Sequence, residues 1–237
     1  MYLFYSPEIT GQTHTLNEQE SKHIVKALRL RKGDELHLTD GKGNLYLTKI
    51  MDDNIKACVV EVVSQCEDNN KLSYYLHIAI APTKNSDRLE WFVEKAVEIG
   101  ISNITTLICE HSERVSIKKE RIERLMISAM KQSLHTELPI FKENVCFKDF
   151  IEQQKKYSQK YIAYCGQLEQ APALLKNICQ ANTDTLILIG PEGDFSPQEV
   201  NLAMQNGFIP ISLGKSRLRT ETAALLACAT IQVINEG

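Results

Sequence analysis

The segment Ile189–Ser196, which reads Ile-Gly-Pro-Glu-Gly-Asp-Phe-Ser, carries the strongest signal for ligand binding in this sequence. It follows an apolar run typical of a buried strand, and Ser196 with Glu199 matches the capping box that opens a helix. Gly190 and Gly193 allow the backbone to approach a ligand closely. Because open α/β sheets bind ligands at the carboxyl ends of their strands, we expect a binding loop here, with a purely structural turn as the alternative.

A second predicted strand ends in a similar turn at Leu213 and Gly214, and a second helix follows from Thr220. Three basic side chains lie within five residues of Gly214, namely Lys215, Arg217 and Arg219. The positive end of a helix suits an anionic partner or a developing negative charge, whereas a basic residue there is otherwise unfavourable. Arg219 is therefore the principal catalytic candidate. Glu221 is the second candidate, although ordinary complementation of the helix dipole explains an acid in a first turn equally well.

A third signal is the basic stretch 21–33, which contains five Lys or Arg residues and no acid. On a helix, Lys22, Lys26 and Arg29 would share one face, and Arg31 follows them. Such a stripe suits contacts with the phosphates of a nucleic acid, and a solvated helix face is the alternative.

Several enzyme classes are disfavoured because the sequence lacks their motifs. Neither glycine-containing turn has the G-x-G-x-x-G or Walker A spacing, which disfavours dinucleotides and nucleoside triphosphates. The histidines are scattered, and no G-x-S-x-G, H-E-x-x-H or D-x-D pattern occurs, so neither a hydrolase nor a metal site is expected. Seven cysteines without a C-x-x-C pair indicate reduced thiols. Catalysis would then rest on positioning two reactants and stabilising charge.

A composition of 43% hydrophobic and 24% charged residues is typical of a globular protein. A length of 237 residues fits one large domain or two modest ones, and we expect two domains to position these residues. Residues 1–70 read as a small β-barrel whose predicted elements are a helix over 16–30 and strands over 36–40, 44–50 and 57–63. The polar run 65–71 is the predicted linker.

Residues 71–237 alternate strands and helices, the pattern of an α/β domain with a mostly parallel sheet covered on both faces. The predicted strands are 76–81, 104–109, 161–165, 186–189 and 209–213. The predicted helices are 87–99, 118–134, 171–179, 197–205 and 221–234. The last helix is apolar almost all round from Ala223 to Ala229, so it should be buried in the core or against a second subunit.

Charge and hydropathy restrict the partners and the location. The net charge is −3 at pH 7 and the pI is about 6.1, so any surface for nucleic acid must be local. No apolar run approaches the roughly 20 residues that span a bilayer. The first residues have no basic segment, apolar core or cleavage site of a secretory signal, so we expect a cytoplasmic protein.

Together, these motifs resemble the RsmE family of small-subunit ribosomal RNA uridine N3-methyltransferases, within the SPOUT (α/β-knot) superfamily. The resemblance rests on Gly190-Pro191-Glu192-Gly193 with Phe195-Ser196, Leu213-Gly214, and Leu218-Arg219-Thr220-Glu221-Thr222-Ala223. The stretch from His23 to Asp34 resembles the N-terminal signature of the family. The mid-chain pattern is matched by Lys84, Arg88, Glu90, Trp91, Lys95, Glu98 and Gly100.

The resemblance implies an RNA-binding PUA-like β-barrel over residues 1–70 and a SPOUT methyltransferase domain with a deep trefoil knot over residues 71–237. It implies S-adenosylmethionine as the cofactor, bound by Cys165, Gly166, Ile189, Gly190, Glu192, Gly193, Leu213, Gly214, Leu218, Thr220 and Ala223. The implied RNA-binding residues are Lys22, Lys26, Arg29, Arg31, Lys84 and Arg88. The implied partners are 16S rRNA, in the assembled small ribosomal subunit, and a second copy of the chain in a homodimer.

The implied reaction is an in-line transfer of a methyl group from the sulfonium to N3 of a uridine. That nitrogen must lose its proton and spread negative charge onto the flanking carbonyl oxygens, which Arg219 would stabilise. Either Glu221 or water would accept the proton. Two residues depart from the family pattern: Asp194 stands where a second glycine is usual, and Leu134 stands where an arginine commonly follows Gln-Ser.

Two alternatives are left open by the residues. The first is a non-catalytic dimeric RNA-binding protein that retains a knot domain. The second is a flavodoxin-like α/β enzyme whose Gly190–Ser196 loop holds a phosphate at the N-terminus of a helix.

Overall fold

The computed structural model describes residues 2–67, 72–113, 117–154, 156–166 and 168–236. The chain divides into two compact units, the first formed by residues 1–71 with 127–138 and the second by 72–126 with 139–237. The predicted linker 65–71 falls at this division, and its last four residues lie outside the described part of the chain. The contribution of 127–138 to the first unit had no signal in the sequence.

The first unit contains a five-stranded sheet in the order β1-β3-β4-β5-β2. Its strands are β1 Leu3–Tyr5, β2 Thr13–Thr15, β3 Glu35–Thr39, β4 Asn44–Asp52 and β5 Val59–Glu67. β1 pairs with β3 in parallel, and the other pairs are antiparallel. Ser6 follows β1 and its hydroxyl lies 2.7 Å from Nε2 of His14 in β2, so the two edge strands meet and the sheet curls as in a barrel. The hydrophobic core of this unit includes the buried Phe4, Leu38 and Ile50.

The helix of the first unit is shorter than predicted. α1 covers Glu18–Lys22 and continues as a π-helix over His23–Ala27. Asn17 caps it as expected, because its side chain accepts a hydrogen bond of 2.9 Å from the Glu20 amide. Arg29 lies beyond the helix with a φ of 59°, so the prediction that it shares a helical face with Lys22 and Lys26 was wrong.

The segment 127–138 is held to the first unit by specific bonds. Lys131 Nζ donates to Glu20 Oε1 at 2.6 Å, and both side chains are largely buried. The Thr39 hydroxyl donates to the carbonyl of Thr136 at 2.9 Å. The buried ion pair also explains why Glu20 does not close a capping box: its carboxylate is used by Lys131 instead.

The second unit is built on a seven-stranded sheet in the order β10-β12-β9-β11-β6-β7-β8, in which every pair is parallel. Its strands are β6 Leu76–Ile80, β7 Asn103–Ile108, β8 Ile140–Cys146, β9 Gln159–Ala163, β10 Ala173–Leu174, β11 Thr185–Ile189 and β12 Ile209–Ser212. Its helices are α2 Ser86–Ile99, α3 Lys119–Ser133, α4 Phe147–Glu152, α5 Leu175–Ile178, α6 Pro197–Gln205 and α7 Thr220–Glu236; the end of α3 belongs to the first unit. The α/β class and the parallel sheet are thereby confirmed.

One helix prediction in this unit was wrong. Residues 171–179 were expected to be helical, but Ala173 and Leu174 pair with Ile211 and Ser212 as strand β10, which leaves only the short α5. Pairing with the edge of the sheet outweighs the helical pattern there.

The last helix, α7, is buried on one side. Ala224, Cys228 and Ile231 are inaccessible to solvent, whereas Leu226 is 39% and Val233 66% exposed. One face of α7 therefore packs into the core, and apolar side chains on the other face are exposed to solvent. Within the described ranges, no helix is long and apolar enough to cross a membrane.

Candidate active site

Three turns meet at the carboxyl edge of the parallel sheet. Cys165 and Gly166 follow β9, the Gly190–Gly193 turn follows β11, and Leu213 with Gly214 follows β12. Because β12, β9 and β11 are adjacent and parallel, their carboxyl ends lie side by side. The structure thus brings together the cofactor-binding turns predicted from the sequence.

Packing behind the Gly190–Gly193 turn explains both of its glycines. A Cβ on Gly190 would lie 3.1 Å from the buried Phe195 ring and 3.2 Å from the Phe195 backbone nitrogen. A Cβ on Gly193 would lie 3.1 Å from Cβ of His111. These approaches are tighter than ordinary van der Waals contact, so a side chain at either position would displace the turn from its support.

Gly214 and Gly166 are required for different reasons. Gly214 has a φ of 132°, a conformation that favours glycine, and a Cβ there would meet no atom within 4 Å. The backbone at Gly214 therefore borders open space. A Cβ on Gly166 would overlap the hydroxyl of Tyr164.

Hydrogen bonds tie neighbouring elements to the Gly190–Gly193 turn. The hydroxyl of Thr220, the first residue of α7, donates to the Gly190 carbonyl at 3.1 Å. The Lys84 amide, in the loop after β6, donates to Glu192 Oε1 at 3.1 Å. The turn is consequently braced by the start of the last helix and by the loop that precedes α2.

Glu221 is the buried acid of this site. Its side chain is 8% exposed, and Oε1 lies 3.8 Å from Nε of Arg88. Its Oε2 is buried and has no hydrogen-bond partner among the described residues. Leaving a buried carboxylate oxygen without a donor is costly, so this atom is available to a donor from a bound molecule.

Arg219 lies exposed in the loop before α7, two residues from Glu221, and Leu218 beside it is half-buried. Ala223 is in the first turn of α7, where its amide donates to the Arg219 carbonyl at 2.8 Å. The guanidinium of Arg219 and the carboxylate of Glu221 therefore belong to one helix start, as the sequence predicted.

The predicted RNA-binding residues are divided between the two units. In the first unit Lys26 and Arg29 are exposed, Lys22 pairs with Glu18 at 2.7 Å, and Arg31 lies 3.5 Å from Asp53. Such exposed pairs contribute little to stability and exchange readily for phosphate.

Lys84 and Arg88 belong to the second unit, at the same edge of the sheet as the three turns. Lys84 Nζ lies 2.9 Å from Glu113, and that hydrogen bond raises the pKa of Lys84. A cavity of about 110 Å³ lies beside the start of α2, and its lining includes Thr83, Ser86, Glu90, Lys118 and Arg121. Arg121 Nη2 in this lining donates to Glu90 Oε2 at 2.7 Å, so one of its two cationic side chains is already paired.

Two residues that lie at this edge, His111 and Asp194, were not among the predicted site residues. His111 follows β7 and its Nδ1–H donates to the Asp194 carbonyl at 3.0 Å. Asp194 accepts from the Cys165 amide through Oδ2 at 3.0 Å. His111 could have been placed at this edge because it follows a predicted strand, whereas nothing in the sequence indicates the partner of Asp194.

The residues of the described ranges include no group of three His, Cys, Asp or Glu side chains that could hold a metal ion. The chemistry available at this edge is therefore built from glycine-lined backbone, one buried carboxylate and nearby arginines.

Comparison with known proteins identifies two RNA methyltransferase domains in this chain. Residues 70–232 match the model of an RNA methyltransferase domain, and residues 16–63 match an RNA methyltransferase PUA domain. The chain is 31% identical to ribosomal RNA small subunit methyltransferase E of Mesomycoplasma hyopneumoniae, over 95% of this chain and 96% of that protein.

Solved structures are similar as well. A probable rRNA-methyltransferase from Porphyromonas gingivalis is 43% identical with a TM-score of 0.94, over 100% of this chain and 99% of that one. Ribosomal RNA small subunit methyltransferase E from Neisseria gonorrhoeae, solved with bound S-adenosylmethionine, is 26% identical with a TM-score of 0.88, over 99% and 98% of the two chains.

Proposed function

Because the chain belongs to the ribosomal RNA small subunit methyltransferase E family of RNA methyltransferases, we propose that it methylates N3 of a uridine in 16S rRNA with S-adenosylmethionine as the methyl donor. The observation that carries this proposal is the buried, unpartnered Oε2 of Glu221, two residues from Arg219 and beside glycine turns suited to a cofactor.

The residues present fit S-adenosylmethionine. Gly214 borders open space, and Gly190 and Gly193 pack closely against Phe195 and His111, so none of the three positions carries a side chain that would keep a ligand from the backbone. We assign cofactor binding to the turns at Cys165-Gly166, Ile189–Gly193 and Leu213-Gly214, with Leu218, Thr220 and Ala223 at the start of α7. When bound, the cofactor supplies an electrophilic methyl group on a sulfonium.

The acceptor is prepared by the two charged residues. The imide N3–H of uridine donates to Oε2 of Glu221, which takes the proton and so gains the donor that it lacks in the structure. The negative charge that develops on the flanking carbonyl oxygens is stabilised by the Arg219 guanidinium, which stays charged and offers paired donors. Arg88, whose Nε lies 3.8 Å from Glu221 Oε1, places a positive charge beside the carboxylate.

The rRNA is held by basic residues of both units. We propose that Lys22, Lys26, Arg29 and Arg31 of the PUA-like domain, residues 1–70, contact phosphates. In the methyltransferase domain, residues 71–237, Lys84 and Arg88 take the same role beside the reacting base, which must be unstacked to enter the site.

We further propose that the substrate is the assembled small subunit in the cytoplasm and that the enzyme is a homodimer. The exposed apolar side chains Leu226 and Val233 of α7 support the dimer, because a second copy would remove them from water.

Calorimetric titration with S-adenosylmethionine, combined with methyl transfer to small subunits, tests this proposal. Gly193→Trp should abolish cofactor binding because the side chain has no room beside His111. Arg219→Ala should bind the cofactor as the wild type does and lose methyl transfer. If the folded wild-type protein binds RNA but does not bind S-adenosylmethionine, it is instead a non-catalytic RNA-binding protein.

A further inference from the structure

Asp194 is placed in an unusual backbone conformation between the Gly190–Gly193 turn and α6. Its φ is 63°, in the left-handed region that L-residues rarely adopt. Aspartate tolerates this conformation better than most residues because its short side chain bonds to nearby backbone, and here Oδ1 accepts from the Phe195 amide at 2.8 Å.

The second carboxylate oxygen of Asp194 reaches a different loop. Oδ2 accepts from the Cys165 amide at 3.0 Å, two residues beyond the last residue of β9. Up to Ala163, β9 pairs through its backbone with both neighbours, Ile189 of β11 and Ile211 of β12.

Beyond Ala163 the two sides of β9 are held differently. On the β12 side the backbone ladder continues, because the Tyr164 amide donates to the Ile211 carbonyl at 3.3 Å. On the β11 side the chain has turned away at Gly190. There the Asp194 side chain supplies the acceptor that the backbone no longer offers.

The backbone of Asp194 holds a third loop. Its carbonyl accepts from Nδ1–H of His111, in the loop after β7, and the His111 Cβ supports Gly193. Asp194 is thus bonded to the loops that follow β7 and β9 while forming part of the loop that follows β11.

We propose that Asp194 is a positioning residue of the cofactor site, which holds the Cys165-Gly166 turn in register with the Gly190–Gly193 turn. This inference rests on the proposed function, since both turns are assigned there to S-adenosylmethionine. Asp194 acts through the two turns and touches no reacting atom.

The test uses three variants of the full-length protein. Asp194→Gly keeps the left-handed backbone without strain and removes both carboxylate bonds. Asp194→Asn keeps the size of the side chain but has one acceptor oxygen for two amide donors. Asn182→Gly is the matched control, because Asn182 has a φ of 54° and precedes β11, at the opposite edge of the sheet.

We expect Asp194→Gly to bind S-adenosylmethionine about tenfold more weakly, as loss of two charge-assisted hydrogen bonds implies. Its melting temperature should fall by only a few degrees, because glycine relieves the strain of the left-handed backbone and so offsets part of the lost stability. The affinity of Asp194→Asn for S-adenosylmethionine should lie between those of the wild type and Asp194→Gly. Asn182→Gly should bind the cofactor as the wild type does. In steady-state methylation the KM for the cofactor should rise more than kcat falls.

Two results would overturn the inference. One is wild-type affinity in Asp194→Gly. The other is a loss of affinity matched by a loss of folded protein in both Asp194 variants, which would make the residue merely structural. Failure of the wild-type protein to bind the cofactor would refute the proposed function itself, so the two failures are distinguishable.

Discussion

Removal of the Thr220 hydroxyl tests whether the start of α7 and the Gly190 turn form one site. The Thr220 side chain is buried, and its hydroxyl donates to the Gly190 carbonyl at 3.1 Å. Thr220→Val keeps the shape of the side chain and removes the donor. An unsatisfied buried acceptor costs about 1–3 kcal/mol. Because Gly190 is only half-buried, water can partly replace the donor, and the lower end, about 1 kcal/mol, applies.

In a chain of this length, about 1 kcal/mol corresponds to a fall of roughly 2–4 °C in Tm. If the start of α7 and the Gly190 turn both bind the cofactor, a loss of about 1 kcal/mol in binding free energy corresponds to about fivefold weaker binding of S-adenosylmethionine. Differential scanning calorimetry and isothermal titration measure the two effects. Thr220→Ser, which keeps the hydroxyl, is the control. Wild-type cofactor affinity in Thr220→Val, or an equal loss of affinity in Thr220→Ser, would show that the hydroxyl does not join the two elements into one site.

Two further predictions concern titratable groups. Burial lowers the pKa of His77 from 6.5 to about 3. As the pH falls, the unfolded chain protonates His77 before the folded chain does, so the free energy of unfolding is highest above pH 6.5 and decreases as the pH falls towards 3. The decrease is about 2 kcal/mol between pH 7 and pH 5. His77→Gln should flatten this part of a urea-denaturation pH profile, and an unchanged profile would contradict the assignment. Desolvation and the Asp194 carboxylate raise the pKa of the Cys165 thiol, and Arg217 opposes them. Asp194→Asn should therefore shift the alkylation of Cys165 by iodoacetamide, followed by mass spectrometry, to lower pH; no shift would contradict the coupling to Asp194.

The sequence predicted the parallel sheet well because its strands are buried on both faces and read as continuous apolar runs. β6 and β11 are fully buried along their length, and both were predicted within one residue of their ends. β8, Ile140–Cys146, was missed because it is an edge strand with mixed polar and apolar side chains. The wrong helix at 171–179 has a related cause, since a two-residue edge strand leaves no periodic pattern.

The site was predictable to the level of the turns and no further. Glycines after consecutive parallel strands must lie at one edge of the sheet, and a family resemblance carried by the same residues, later confirmed, pointed to the cofactor. Sequence spacing gives no information about bonds between distant loops. The Cys165–Asp194 bond, the Thr220–Gly190 bond and the unpartnered Glu221 oxygen therefore emerged only from the structure.

Identification of the methylated atom tests the proposed uridine N3-methyltransferase activity. Small ribosomal subunits lacking the modification are incubated with the protein and S-adenosylmethionine labelled in its methyl group, and the 16S rRNA is digested to nucleosides for mass spectrometry. We expect the label in 3-methyluridine, and we expect no label with Gly193→Trp or with Arg219→Ala. Label in another base or at another uridine atom, or no transfer by a wild-type protein that binds the cofactor, would contradict it.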